Sequence, residues 1–141
     1  MEDRYLYRAK RKDNREWVEG YLVYDNFDHE CRIVIELDYS TGTCFHTMMA
    51  PRVDQSTICQ CTGLKDKNGK MIWENDICDR KEKYPEIVNY HDGDWTLDYS
   101  YASNNESGFN YCNLGFYVTE RNCVEVIGNI FDNPELLEVG E

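Results

Sequence analysis

The chain has no apolar run long enough to cross a bilayer, and Met1-Glu2-Asp3-Arg4 opens directly on charge. A membrane span needs about 18 or more consecutive apolar residues. A secretory leader needs an apolar h-region near its start. Neither is expected. The sequence also has no Gly-rich phosphate loop, no H-E-x-x-H and no G-x-S-x-G. It has three prolines and no repeat or low-complexity tract, so nothing reads as a linker. Positive charge is short: 15 Lys+Arg stand against 27 Asp+Glu, a net of −12. A field of that sign repels phosphate backbones, so direct nucleic-acid binding is not expected.

Metal and nucleophile patterns are missing as well. The seven cysteines, at 31, 44, 59, 61, 78, 112 and 123, make an odd number. With no leader, they predict free thiols in a reducing compartment, behaving as small hydrophobes. Cys59-Gln60-Cys61 is spaced too tightly for a zinc ribbon, and no second pair follows. On a strand the two thiols share one face, which suits burial. His29, His46 and His91 are isolated in sequence, and nothing marks Cys44 and His46, alternating on one strand face, as activated. Asp92 and Asp94 flank a turn glycine, and no ordered series of oxygen ligands forms a calcium loop. No catalytic residue, no cofactor and no metal ligand is expected.

Aromatics fill the gap. Eleven Tyr, five Phe and three Trp are spread along a chain that is 41% hydrophobic. They bring large buried area per residue and argue against disorder. At 141 residues the chain reads as one domain, 1–141, able to bury roughly 68–70% of its unfolded surface.

Short β-rich runs separated by turn formers predict a mainly β fold, a small barrel or sandwich with SH3-like hairpins. Expected strands include 5–9, 17–24, 31–37, 43–48, 71–73, 87–91, 94–97 and 124–131, with Gly20 as a bulge marker. The segment 53–62 reads as a connector holding one helical turn or an extended piece. Asn68-Gly69 and Asp92-Gly93 are hairpin signals for type I′ turns, with positive φ at both central residues. Asp66 is placed to accept backbone N–H groups within the first turn. Residues 103–108 are the most loop-like stretch. Asp132-Asn133-Pro134-Glu135 predicts a short C-terminal helix with proline at its first position.

The stretch Thr62-Gly63-Leu64-Lys65-Asp66-Lys67-Asn68-Gly69-Lys70, preceded by Gln60 and followed by Ile72-Trp73-Glu74-Asn75-Asp76-Ile77, resembles the central signature of the YopX family of phage and prophage proteins. Arg8 followed by Trp17-Val18-Glu19-Gly20-Tyr21 is similar to the family's opening. Residues 125–137, from Glu125-Val126-Ile127-Gly128 to Pro134-Glu135-Leu136-Leu137, are similar to its closing motif. Cys59 and Asn75 depart from the small or glycine residues the family has there, but Asn tolerates a left-handed backbone. The resemblance implies a largely β fold in a bacterial cytoplasm and brings no activity or catalytic residue with it.

The residues singled out as motif or interaction positions are Gln60, Lys65, Asp66, Asn68, Gly69, Trp73, Glu74 and Asp76. Trp73 is expected in the core. Lys65, Asp66 and Lys67 are read either as a register-fixing hairpin or as a loop presented to a partner. The basic cluster from Arg4 to Arg15 reads as a solvated strand face, or as a contact for an anionic partner. Three functions follow. The first is a non-enzymatic, self-assembling protein-interaction module of a mobile element. The second is an acidic inhibitor that imitates nucleic acid. The third is a hydrolase whose site is assembled from distant Asp, Glu and His.

Overall fold

A computed structural model describes residues 2–38, 47–102 and 110–138. The chain divides into two compact units, Met1–Cys61 and Thr62–Glu141. The expected strand 43–48 lies largely outside the described residues, as do Cys44, His46 and the loop 103–108.

The first unit carries β1 (Tyr7–Lys10), β2 (Trp17–Asp25), β3 (Glu30–Val34), β4 (Glu36–Asp38) and β5 (Thr47–Met49), and begins β6 (Cys59–Lys65). β2 lies between β1 and β3, pairing antiparallel with both, and β1 also pairs with β6. β4 and β5 form a pair of their own. Between β5 and β6 the connector does both things expected of it. Val53 bridges Arg11, and Gln55–Thr57 makes one 3-10 turn capped by Asp54. Ala9, Ile33 and Val53 are buried, with Tyr7, Val18, Leu22, Cys31 and Ile58 packed on them.

Gly20 is not a bulge. It pairs in regular register with Tyr7, and a Cβ there would sit 2.1 Å from the Val34 carbonyl oxygen. The glycine is needed because backbone passes directly over it.

The second unit completes β6 and adds β7 (Met71–Trp73), β8 (Asp76–Asp79), β9 (Glu86–His91), β10 (Asp94–Asp98), β11 (Tyr111–Asn113), α1 (Leu114–Thr119) and β12 (Glu125–Asn129). The strand orders are β3-β2-β1-β6-β7 and β11-β10-β9-β8-β12, so the chain is mainly β, as its composition predicts. Neither sheet closes into a barrel. Ile72, Cys78, Val88, Leu97, Leu114, Val124 and Val126 form the core of this unit. Cys59 and Cys61 are both fully buried, which fits thiols used as small hydrophobes.

One turn expectation is corrected. The Asp66–Lys70 turn is not type I′, because only Gly69 has positive φ, at 83°. Gly69 N–H donates to Asp66 O, and Asp66 N–H to Lys70 O. That is a type I turn followed by a left-handed glycine. The Asp66 carboxylate accepts from Asn68 N–H, and this Asx bond holds the middle of the turn in the right-handed region. Asp92-Gly93 does form the type I′ turn, with φ of 49° and 89°. The expected short C-terminal helix forms as a single 3-10 turn, Pro134–Leu137, with the proline at its start. The α-helix that does occur, α1, lies where no helical period is legible in Leu114-Gly115-Phe116-Tyr117-Val118-Thr119. It starts because the Asn113 side chain accepts from Phe116 N–H, and it buries Leu114.

Candidate functional site

The signature residues turn inward. Asp66 is 6% exposed, and its carboxylate accepts from Asn68 N–H and Lys70 N–H at 2.9 Å and from Val126 N–H at 2.9 Å. Burial alone would raise its pKa, but the three amide donors outweigh it and hold the group below the usual carboxylate range. Asp76, 1% exposed, accepts from Trp73 N–H at 2.8 Å, and Trp73 itself is 4% exposed. Between them Asn75 takes φ 69°, as its tolerance of the left-handed region allows. Its N–H donates to Val88 O, and its carbonyl accepts from Ile130 N–H. The closing motif answers in kind. Asn129 Oδ1 accepts from Phe131 N–H and Asp132 N–H, and Asn133 Oδ1 accepts from Asn129 N–H.

The remaining singled-out positions scatter. Lys65, Asn68 and Gly69 are exposed, and Glu74 is half-buried at the β7–β8 corner. Lys67 Nζ meets Glu125 Oε2 at 3.5 Å. Gln60 lies in the first unit, its Nε2 near the Arg4 carbonyl at 3.4 Å. The structure thus joins Asp66, Asn68 and Gly69 in one turn and Trp73, Glu74 and Asp76 in one corner. The buried members of both sets serve backbone, and Gln60 stands apart.

Two constellations that sequence reasoning missed occupy the second unit. One is a cleft of about 350 Å³ lined by Arg80, Glu82, Lys83, Tyr84, Glu86 and Tyr99. Arg80 Nε donates to Glu86 Oε1 at 2.6 Å and Nη1 to Glu82 Oε1 at 3.0 Å. Its guanidinium lies 4.3 Å over the Tyr117 ring. Glu86 is 1% exposed, and burial raises its pKa even against Arg80. Burial is the largest single effect on Arg80 and lowers it, but the bond to Glu86 and the charges of Glu86 and its neighbours together move it upward. Burial, and then the charge of Glu86, push the nearby Cys112 thiol up to about 11.

The other is a dyad. His91 Nε2 lies 2.9 Å from Asp98 Oδ2, and its ring stacks on Tyr111 with centroids 4.6 Å apart. Burial of Asp98 opposes ionisation, but bonds from Ser100, His91 and Asn89 win and lower its pKa. An ionised carboxylate only accepts, so Nε2 carries the proton. The only sequence cue was Asp92-Gly93, the turn that folds β9 and β10 together. Among the described residues no group of three or more His, Cys, Asp or Glu is arranged to hold a metal. No helix among them is long and apolar enough to cross a membrane.

The two most exposed large apolar side chains among the described residues of the first unit, Phe27 and Tyr24, lie on the β2–β3 hairpin. Phe27, at its tip, is 95% exposed, and Tyr21, Val23 and Tyr24 are exposed on β2. Below the tip, Arg32 Nε donates to Asp25 and Arg52 Nη2 to Asp28, an ion-paired collar that fixes the loop.

Comparison with known proteins fits this layout. A crystal structure of protein EF1440 from Enterococcus faecalis is 28% identical, covers 94% of this chain and 96% of its own, and superposes with a TM-score of 0.56. The X-ray structure of protein yopX from Bacillus subtilis is 19% identical over 96% of this chain and 98% of its own, with a TM-score of 0.54. That likeness speaks for the fold alone. No curated protein matches the chain. The family model described as YopX protein matches residues 6–138, and so reaches across both units. The chain belongs to the YopX family.

Proposed function

We propose that the protein is an accessory protein of a bacteriophage or prophage. It works without catalysis in the cytoplasm of a bacterial host, by contact with a protein partner and with copies of itself. The observation that carries this reading is the β2–β3 hairpin, where Phe27 is 95% exposed beside Tyr21, Val23 and Tyr24. Scattered apolar residues on a surface need no explanation, but an aromatic ring held out almost fully in solvent at a hairpin tip is a usual anchor of a protein contact. The signature residues support the reading from the other side. The Asp66 and Asp76 carboxylates accept backbone N–H groups, and the Asn75 main chain bonds Val88 and Ile130.

The acidic-mimic reading draws on the second unit, where 16 Asp+Glu stand against 7 Lys+Arg over 62–141. Four of those acids, Asp66, Asp76, Glu86 and Asp98, are buried, which removes them from any phosphate-like row. The hydrolase reading draws on the His91–Asp98 dyad. It ranks below the first because the Asp98 carboxylate is buried and already engaged by Asn89 and Ser100 besides His91.

The test is capture of partners from a bacterial lysate by the tagged full chain, with and without nuclease, beside light scattering of the purified protein. A specific protein, or a self-association, that is kept by the parent and lost in Tyr24→Ser/Phe27→Ser supports the module. Equal capture by both proteins would refute it. Loss of a DNA-processing partner at high salt alone, with the hairpin variant unaffected, would favour mimicry.

A further inference from the structure

Nothing in the family likeness assigns the cleft at Arg80, where a guanidinium is held from three sides. Its base is a buried ion pair, Arg80–Glu86, with side chains 12% and 2% exposed. Such a pair gives little net stability, because desolvating both charges offsets their attraction. What it does give is position. Glu86 fixes Nε, Glu82 fixes Nη1, and the Tyr117 ring backs the guanidinium plane at 4.3 Å. The fork has N–H groups beyond those the two glutamates take, and these are the groups that grip an oxyanion.

The loop that carries Arg80 is fastened at both ends. Asp79 Oδ1 accepts from Lys81 N–H, and Tyr101 donates to the Pro85 carbonyl at 2.7 Å. Lys83 adds a second cation, 5.2 Å over the Tyr84 ring. Tyr84 and Tyr99 line the cleft, whose volume of about 350 Å³ suits one small molecule.

We propose that this cleft binds a planar aromatic anion of the nucleotide class, a nucleoside monophosphate. Its base packs against Tyr84 and Tyr99, and its phosphate meets Arg80 and Lys83. Tyrosine faces stack on any nucleobase. A guanidinium held in place by carboxylates is preorganised for phosphate. The chain's net charge of −12 opposes a long polyanion more than a single dianion, which favours a mononucleotide over a strand.

The experiment titrates the full chain, labelled with ¹⁵N, with AMP, GMP, CMP and UMP in turn. Inorganic phosphate, adenosine and a short single strand are the comparison arms. At least one monophosphate should saturate with a Kd between about 1 μM and 1 mM. It should bind at least about tenfold more tightly than phosphate or nucleoside alone, with shifts centred on residues 80–86 and 99. The strand should bind no more tightly than its monomer. Arg80→Met would strand a buried Glu86 and unfold the cleft, so the variants are Lys83→Ala, at an exposed position, and Tyr84→Ala, at a half-buried one. Each should keep the parent spectrum and weaken binding about fivefold or more. The proposal is overturned by no saturation of any monophosphate at about 10 mM, by phosphate binding as tightly as the nucleotide, by shifts elsewhere, or by affinity unchanged in both variants.

Discussion

Asp66 Oδ2 accepts the amide of Val126 at 2.9 Å, so a turn residue holds a strand 60 positions away. The same carboxylate closes its own turn through Asn68 N–H and Lys70 N–H. One buried charge therefore joins the central and closing motifs of the family, and Lys67 N–H adds a bond to Val124 O beside it. The signature is a joint between backbone segments.

Asp66→Ala removes the acceptor for three amides at once. A hydrogen bond to a charged group is worth about 1.5–3 kcal/mol, and the donors left unpaired in a buried site add a penalty. Stability should fall by about 3 kcal/mol or more, read by urea unfolding. A loss under about 1 kcal/mol would mean that the joint does not hold the fold.

The acid limb of stability should carry the same signature. Asp66 and Asp98 have folded pKa values below their unfolded ones, and Asp54 is lowered to about 2 by bonds from Ser56 and Arg15. Such groups stabilise the fold above the unfolded pKa, about 3.9, and that contribution is lost as pH falls through the folded values. Glu86 has the opposite sign, since its raised pKa makes the fold bind a proton more readily than the unfolded chain. Stability should hold level or rise slightly as pH drops toward about 4.5, then fall steeply below about 4. Urea midpoints from pH 7 to 3 test this, and Asp66→Asn should flatten the steep limb. A steady decline starting at pH 7 would contradict the assignment of signs.

Two glycines separate strain from crowding. At Gly69, φ is +83° and nothing lies within 4 Å of the position a Cβ would take, so Gly69→Val meets only backbone strain, about 1 kcal/mol or slightly more. At Gly20 the Cβ would meet the Val34 carbonyl oxygen at 2.1 Å, so even Gly20→Ala must push β2 and β3 apart. Overpacking costs about 1–3 kcal/mol and sometimes more. Melting temperature should fall further for Gly20→Ala than for Gly69→Val. The reverse order would refute the close approach.

Helix α1 depends on its cap. Asn113→Ala removes the acceptor for Phe116 N–H, and such losses run to about 1 kcal/mol. Asn113→Asp should restore most of it, because a carboxylate accepts the same bond. Amide exchange in 114–119 reads the local effect, and unchanged protection in the alanine variant would show that packing of Leu114 alone holds the helix.

Phe27 makes the opposite case. At 95% exposed it contributes almost no burial, so Phe27→Ser should leave the urea midpoint within about 0.5 kcal/mol of the parent. A larger drop would show that the ring packs within the fold and is not held out for a partner.

Much of the fold is legible residue by residue. Gly69, Gly93 and Asn75 have positive φ because glycine has no Cβ and asparagine tolerates the left-handed region, and these are properties of single residues. The β-branched and aromatic runs mark strands at β2, β9 and β10, and Trp73 belongs to the core by its size and apolarity. What failed was the choice between conformations that differ by a distant or side-chain partner. Asn68-Gly69 looks like a type I′ turn until the Asp66 carboxylate accepts from Asn68 N–H and selects another.

Sequence by itself thus determined the β class, the turns and the family, because sterics and hydrophobic pattern act within a few residues. Only the tertiary structure decided that Asp66 reaches Val126, that Glu86 is buried against Arg80, that His91 meets Asp98 and that six residues without helical period become α1. The first three rest on a charge finding its partner beyond its own strand, and α1 on a cap from Asn113 that no hydrophobic period announces. Those three partnerships depend on which strands pair and in what register, and no local stretch of the chain carries that information.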